Sequence, residues 1–187
     1  MDPTYHPEVP SVQLNQILTH SGKRVSILDP RMEQIDIDDI AWGLSSICRY
    51  SGHTSHFYSV AQHSVLVSKM VPQEGDLPLW GLLHDAAEAY LGDVVAPLKI
   101  LLPQYRTIED NLEKIIYESV NLWGPRPAIV KEVDLRMLAT EIPQVMAHHP
   151  DFVVPYEPYM DVPIFERTRH QDFHIFKARF LELMDAR

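Results

Sequence analysis

A single cysteine, Cys48, stands among 187 residues. One thiol cannot close an internal disulfide, and its isolation suits a reducing, cytosolic setting. It also excludes a cysteine-rich structural zinc site, which needs several thiolates. Long apolar runs are missing too, and none approaches the roughly 20 residues of a membrane span. The opening stretch, Met1-Asp2-Pro3-Thr4-Tyr5-His6, has neither the basic head nor the apolar stretch of a secretory signal. Basic residues are scarce, 16 Lys and Arg against 26 Asp and Glu, for a net charge of -10. A groove for a nucleic-acid polymer calls for a basic surface, so no such partner is expected. Phosphorylated small molecules stay open, because a bound ion and a few cations set the local field whatever the global balance. The expectation is a cytoplasmic protein with no membrane partner, in a bacterium or in the host of a phage.

What is present is enough chain for one domain with a substantial core. Pro3, Pro7 and Pro10 discourage helix near the start, so residues 1–20 are expected to form a loose arm. Ser21 to Pro30 holds a turn and a short alternating run, the pattern of a small hairpin. From Asp36 the apolar spacing becomes helical, with Ile40, Ala41, Leu44, Ile47 and Cys48 on one stripe and Asp38 or Asp39 as a cap. Further helices are expected over about 59–70, over 76–91 with Gly92 closing it, over 105–123, over 127–142 and from about 171 to the end. Residues 93–99 read as a tight connection. The predicted fold class is all-α, a helical bundle with a small N-terminal hairpin.

Inside the helix expected over 76–91 lies Leu82-Leu83-His84-Asp85-Ala86-Ala87-Glu88. An imidazole and a carboxylate set side by side in an apolar run are costly to bury unless something compensates them, and a divalent cation does so. Glu88 follows His84 by four residues, one helical turn on. An isolated histidine in an apolar helix is most often an ordinary core or surface residue. The reading changes because His63 precedes the pair and Asp134 follows it, each in its own helix-like segment. These four nitrogen and oxygen donors suit Mn²⁺, Co²⁺, Fe²⁺ or Mg²⁺, with Zn²⁺ also able to bind. Four protein ligands leave positions for water and a phosphate oxygen in an octahedral shell. Lys131 lies three residues before Asp134, on the same helix face.

This ordered set, with the stretches Leu44 to His53, Phe57 to Ser64, Leu83 to Tyr90, Gly92 to Lys99 and Val130 to Asp134, resembles the HD-domain metal-dependent phosphohydrolases. The likeness runs from about Ser21 to Leu138. It is closest to the small bacterial and phage branch that holds YfdR-like proteins, 5′-nucleotidases of the YfbR kind and dATP triphosphohydrolases of the DatZ kind. The resemblance implies an HD-domain helical bundle over residues 21–187, with His63, His84, Asp85 and Asp134 as ligands of one divalent ion and a second ion arriving with substrate. It implies that Glu88 handles the proton of an attacking water and that Asp93 partners the leaving oxygen. Arg49, Lys99 and Lys131 match phosphate-contacting positions. Tyr50 stands where the nucleotidase branch has a tryptophan against the sugar. Ala89 follows Glu88 where alarmone hydrolases carry an aspartate, which argues against that substrate.

The expected activity is a metal-dependent deoxynucleotide phosphohydrolase controlling the dNTP pool, with dATP converted to deoxyadenosine and dADP and dAMP also accepted. Tyr50, Gly52, His53 and Pro97 are the expected walls around sugar and base, because metal and lysines grip only phosphate common to all nucleotides. Two alternatives stand beside it: a deoxynucleoside 5′-monophosphatase, and a non-catalytic nucleotide sensor acting through a partner. An idle copy would be free to lose Glu88 or a ligand, and this chain keeps them all. The proline-punctuated segment 152–165 carries more apolar residues than a solvated loop should, which predicts a homo-oligomer with this segment at the interface.

Overall fold

The computed structural model describes residues 15–187. The fold is all-α, a helical bundle with a small antiparallel hairpin at its N-terminal side. The hairpin joins β1 (Gln16–Leu18) to β2 (Arg24–Ser26), pairing Ile17 with Val25. Its first strand therefore comes from the stretch expected to be a loose arm, and the rest of that arm, residues 1–14, lies outside the described residues. The helices are α1 (Ile37–Ser46), α2 (Val60–Met70), α3 (Leu77–Leu83), α4 (Glu88–Leu91), α5 (Ala96–Lys99), α6 (Pro103–Ser119), α7 (Ala128–Val145) and α8 (Arg169–Asp185). No helix among the described residues is long and apolar enough to cross a membrane.

Local chemistry accounts for most boundaries. Asp36, not Asp38 or Asp39, caps α1 by accepting from the Asp38 amide at 2.9 Å. Asp39 instead fastens the hairpin, with Oδ1 accepting from the Ser21 amide and Oδ2 from the Ser21 hydroxyl, both at 2.7 Å. Ser59 caps α2, and Thr168 caps α8 in a reciprocal arrangement with Gln171, two residues earlier than the apolar pattern suggested. The connection after Gly92 winds into the short α5, and α6 stops at Ser119, before Asn121 takes a positive φ. Helix α7 runs on through Pro143 to Val145, past the end expected at residue 142. Proline there forgoes one backbone donor, and the buried Met137, Glu141 and Val145 hold the helix together on both sides of it.

Helix α2 forms the centre, packed by α1, α3, α7 and α8. Two glycines let neighbours approach closely. A Cβ at Gly81 on α3 would sit 3.0 Å from the Ser68 Cα of α2, and one at Gly43 on α1 would sit 2.8 Å from the Ala89 carbonyl oxygen of α4. These approaches seat α3 and α4 against α2 and α1, and so bring the residues between α3 and α4 next to His63. Ile40, Leu44, Val60, Leu82, Leu83, Leu112, Ile116 and Phe176 make up much of the surrounding core. Burying each large aliphatic or aromatic side chain contributes about 1.5–3 kcal/mol.

Candidate metal centre

The segment expected as one helix over 76–91 is broken at the pair that matters. After Leu83 the chain tightens into i→i+3 bonds, with Ala86 donating to the Leu83 carbonyl and Glu88 to the Asp85 carbonyl, both at 3.0 Å. In a continuous α-helix Glu88 would have served the His84 carbonyl. That carbonyl is taken instead by Arg126 Nη1 at 2.6 Å, and Arg126 also faces Glu113 Oε1 at 3.6 Å. The break turns His84 and Asp85 toward His63 on α2 and Asp134 on α7.

Both imidazoles are buried, and both are held through Nδ1. His84 Nδ1 lies 2.8 Å from the Gly81 carbonyl, and His63 Nδ1 is hydrogen-bonded to Glu141 Oε1. Each Nδ1 faces an acceptor that can hold its proton. This leaves each Nε2 available to a cation, in exchange for any proton it shares with the nearby carboxylates. The two Nε2 atoms face one another at 3.2 Å. Asp134 Oδ1 is 3.2 Å from His63 Nε2 and 3.8 Å from His84 Nε2, and Asp85 Oδ2 is 3.1 Å from His84 Nε2 and 3.7 Å from His63 Nε2. His63, His84 and Asp134 bring one donor atom each within 4.8 Å of one another, a cluster that could hold a metal ion. Two Nε2 atoms this close repel unless a proton or a metal cation lies between them. Ligands roughly 2.0–2.3 Å from a common ion stand about 2.8–3.8 Å apart, the spacing of the His63, His84 and Asp134 atoms. Asp85 lies near both Nε2 atoms but outside that three-residue cluster. The donor set therefore fits a divalent ion.

The surroundings are strongly charged. Burial and Arg49 depress the His63 imidazole while Glu141 and Asp134 raise it, leaving it pushed up to about 9. Burial opposes ionisation of Asp85 and Asp134, but the adjoining histidines outweigh it and hold both below the usual carboxylate range. Glu88 behaves oppositely. It is 4% exposed, Lys99 Nζ donates to its Oε1 at 3.0 Å, and its Oε2 is buried with no hydrogen-bond partner among the described residues. Burial, Asp85 and Asp93 together push its pKa well up, against Lys99. Asp93 is raised as well, by burial first, with Arg49 opposing and Asp85 adding to the rise.

The remaining expected residues divide into two groups. Arg49 is buried and lies at the cluster, with Nη1 3.7 Å from Asp85 Oδ2. Lys99 and Lys131 are there too, each already neutralised: Lys99 bridges Glu88 and Glu109, the latter at 2.7 Å, and Lys131 holds Asp134 Oδ2 at 2.7 Å. Tyr50 is half-buried, stands at φ 56°, and spends its hydroxyl on Glu141 at 2.7 Å. Gly52, His53 and Pro97 are exposed, outside this buried cluster. Sequence reasoning missed Glu141, Glu109 and Arg126. Only Glu141 left a legible signal, since it follows Asp134 by two helical turns and so shares its face.

The helices of the bundle bring His63, His84 and Asp134 together, with Asp85 beside the two imidazoles, in a cluster that could hold a metal ion. The comparisons place the chain more narrowly. It is 50% identical over 125 residues to the uncharacterized protein YfdR of Escherichia coli K12, covering 67% of this chain and 69% of YfdR. It is 38% identical over 119 residues to an uncharacterized protein of Rhodobacter capsulatus, covering 59% of this chain and 61% of that one. The chain belongs to the YfdR family. No family model matches it.

Proposed function

We propose that the chain is an HD-domain metal-dependent phosphohydrolase acting on deoxynucleotides. The observation that carries this reading is the unpartnered, buried Oε2 of Glu88 beside a donor set fit for a divalent ion. A buried carboxylate oxygen left without a partner is a cost that a fold meets where the group has work to do. In this reading His63, His84, Asp85 and Asp134 hold one ion, Mn²⁺, Co²⁺, Mg²⁺ or Zn²⁺, and a second ion enters with substrate. The ion supplies Lewis acidity toward a phosphoryl group. Arg49 receives a phosphate oxygen through Nη1, the edge that Glu141 leaves free. Glu88 accepts the proton of the attacking water, and burial with Asp85 and Asp93 beside it raises its proton affinity for that task. Lys99 keeps Glu88 in place, and Asp93 stands on the leaving-group side.

The resemblance to dATP triphosphohydrolases supports dATP as substrate, with deoxyadenosine as product and dADP and dAMP accepted. The structure adds weight to the 5′-monophosphatase reading, because Lys99 and Lys131 are both engaged by carboxylates and are not free for extra phosphates. A screen of purified protein against all dNTPs, NTPs and dNMPs with Mg²⁺, Mn²⁺ and Co²⁺ separates them. Formation of deoxyadenosine and inorganic triphosphate from dATP, faster than the matching products from dGTP and ATP, is the expected result. Equal rates on all four dNTPs refute the adenine preference, activity confined to dNMPs establishes the monophosphatase, and no turnover with any nucleotide leaves the sensor.

The same reading includes self-association. Phe152, Val153, Met160 and Phe165 are exposed, and Ile142, Met146 and Phe152 help line an apolar groove of about 440 Å³. A second copy covering this face removes that surface from water. Sedimentation at micromolar concentration is expected to give a dimer or larger species, and Phe152→Asp with Val153→Asp is expected to yield monomer. A monomeric wild-type protein sinks the idea.

A further inference from the structure

Glu141 lies on α7 and is wholly buried, at 0% exposure. Its Oε1 accepts from Tyr58 OH at 2.7 Å and from His63 Nδ1. Its Oε2 accepts from Tyr50 OH at 2.7 Å and from Arg49 Nε at 3.2 Å, with Arg49 Nη2 at 3.1 Å. Neutralising one arginine would need only the last of these. This carboxylate is instead saturated by four side chains, two of which reach the site on their other edge. His63 presents Nε2 to His84 and Asp134, and Arg49 presents Nη1 to Asp85. The hydroxyl bond from Tyr50 also braces a backbone that takes positive φ at Tyr50 and Ser51, a conformation costly for side chains with a Cβ.

We propose that Glu141 is a positioning residue that sets the metal-binding edge of His63 and the anion-binding edge of Arg49 at once. Through Oε1 it keeps the His63 proton on Nδ1, so the lone pair stays on Nε2. Through Oε2 it fixes the guanidinium plane, so one edge alone is left for a ligand. A shift of one carboxylate therefore disturbs both. The inference rests on reading the His63 cluster as a metal centre, and it requires no particular substrate.

The test compares the wild type with Glu141→Gln and Tyr58→Phe. Mn²⁺ and inorganic phosphate are titrated into metal-free protein, and a melting curve is recorded for each variant. Glutamine keeps the volume but is neutral and offers one acceptor oxygen for four donors. Its amide NH₂ faces either His63 and Tyr58 or Tyr50 and Arg49, and the charge that both His63 and Arg49 lean on is gone. The expected result is Mn²⁺ affinity lower by roughly 10–100-fold, the usual effect of losing a carboxylate behind a ligating histidine. Phosphate affinity falls with it. Tyr58→Phe removes one donor and spares the His63 and Arg49 bonds, so its Mn²⁺ affinity stays within a few-fold even if its melting temperature drops. Folded Glu141→Gln with wild-type affinity for both probes overturns the inference and leaves the metal centre standing. A wild-type protein that takes up no divalent ion overturns the metal centre and the inference together. If Glu141→Gln does not fold, the zinc-loaded wild type decides by ¹⁵N-histidine NMR: His63 ligated through Nε2 with a strongly downfield Nδ1 proton is expected, and ligation through Nδ1 refutes it.

Discussion

Glu88→Gln is expected to lower kcat by roughly 10²–10⁴-fold, the usual contribution of a positioned acid or base, while KM and metal content stay near wild type. The change is well controlled by the geometry. Glutamine matches the volume of a side chain that is 4% exposed, and its amide oxygen can still accept from Lys99, whose second partner Glu109 remains. What disappears is the ability of Oε2 to take and return a proton. The environment prepares that ability, since burial and the charges of Asp85 and Asp93 lift the carboxyl above its ordinary range. Steady-state kinetics on the best nucleotide, with metal analysis of the same preparation, provide the measurement. Loss of the ion would reassign Glu88 as a ligand, and an unchanged rate would pass the proton to Asp93.

Removing a ligand has the larger structural consequence. Wild-type protein is expected to carry about one equivalent of divalent ion per chain, and Asp85→Ala or Asp134→Ala to carry almost none and to lose activity. Each aspartate lies between 3.1 and 3.8 Å from both Nε2 atoms, so its loss opens one side of the cluster. The two histidines remain, but two neutral ligands with one carboxylate hold a divalent ion far less well. Stability gives an independent readout. An ion bound only by the folded state stabilises by about 2.7 kcal/mol at a hundred times its dissociation constant. For a chain of this size that is a rise of several degrees in Tm. The wild type should show this shift on adding Mn²⁺ and both variants should not. Full metal and activity in Asp85→Ala would remove it from the donor set.

Much of the bundle was legible before the structure. Helix identities followed from apolar spacing around Ile40, Leu44, Leu112, Ile116 and Met137, and these side chains are buried. The hairpin was placed too late because Gln16 to Leu18 carries little pattern of its own. It is held from a distance, by Ser21 on Asp39. The break between α3 and α4 was invisible for a related reason. Nothing in Leu82-Leu83-His84-Asp85-Ala86-Ala87 discourages helix, and the tightening depends on Arg126, distant in sequence, taking the His84 carbonyl. Lys99 read as a free cation because Glu109 is brought to it only by packing. The Lys131–Asp134 pair was open to spacing and was passed over because Asp134 was assigned to the metal.

By itself the sequence determined the fold class, which depends on composition and periodicity, local and additive along the chain. The ordered set His63, His84-Asp85 and Asp134, with the resemblance it carries, only named side chains to watch, and packing brought them together. The tertiary structure alone decided how that convergence is aimed. The acceptor behind each imidazole, the edge that Arg49 turns to Asp85 and the Glu88 oxygen left over from Lys99 are set by Glu141, Gly81 and Lys99. Hydrogen-bond direction in a buried site is fixed by whichever acceptor the fold brings within about 3 Å, and neighbours far along the chain are brought there only by packing.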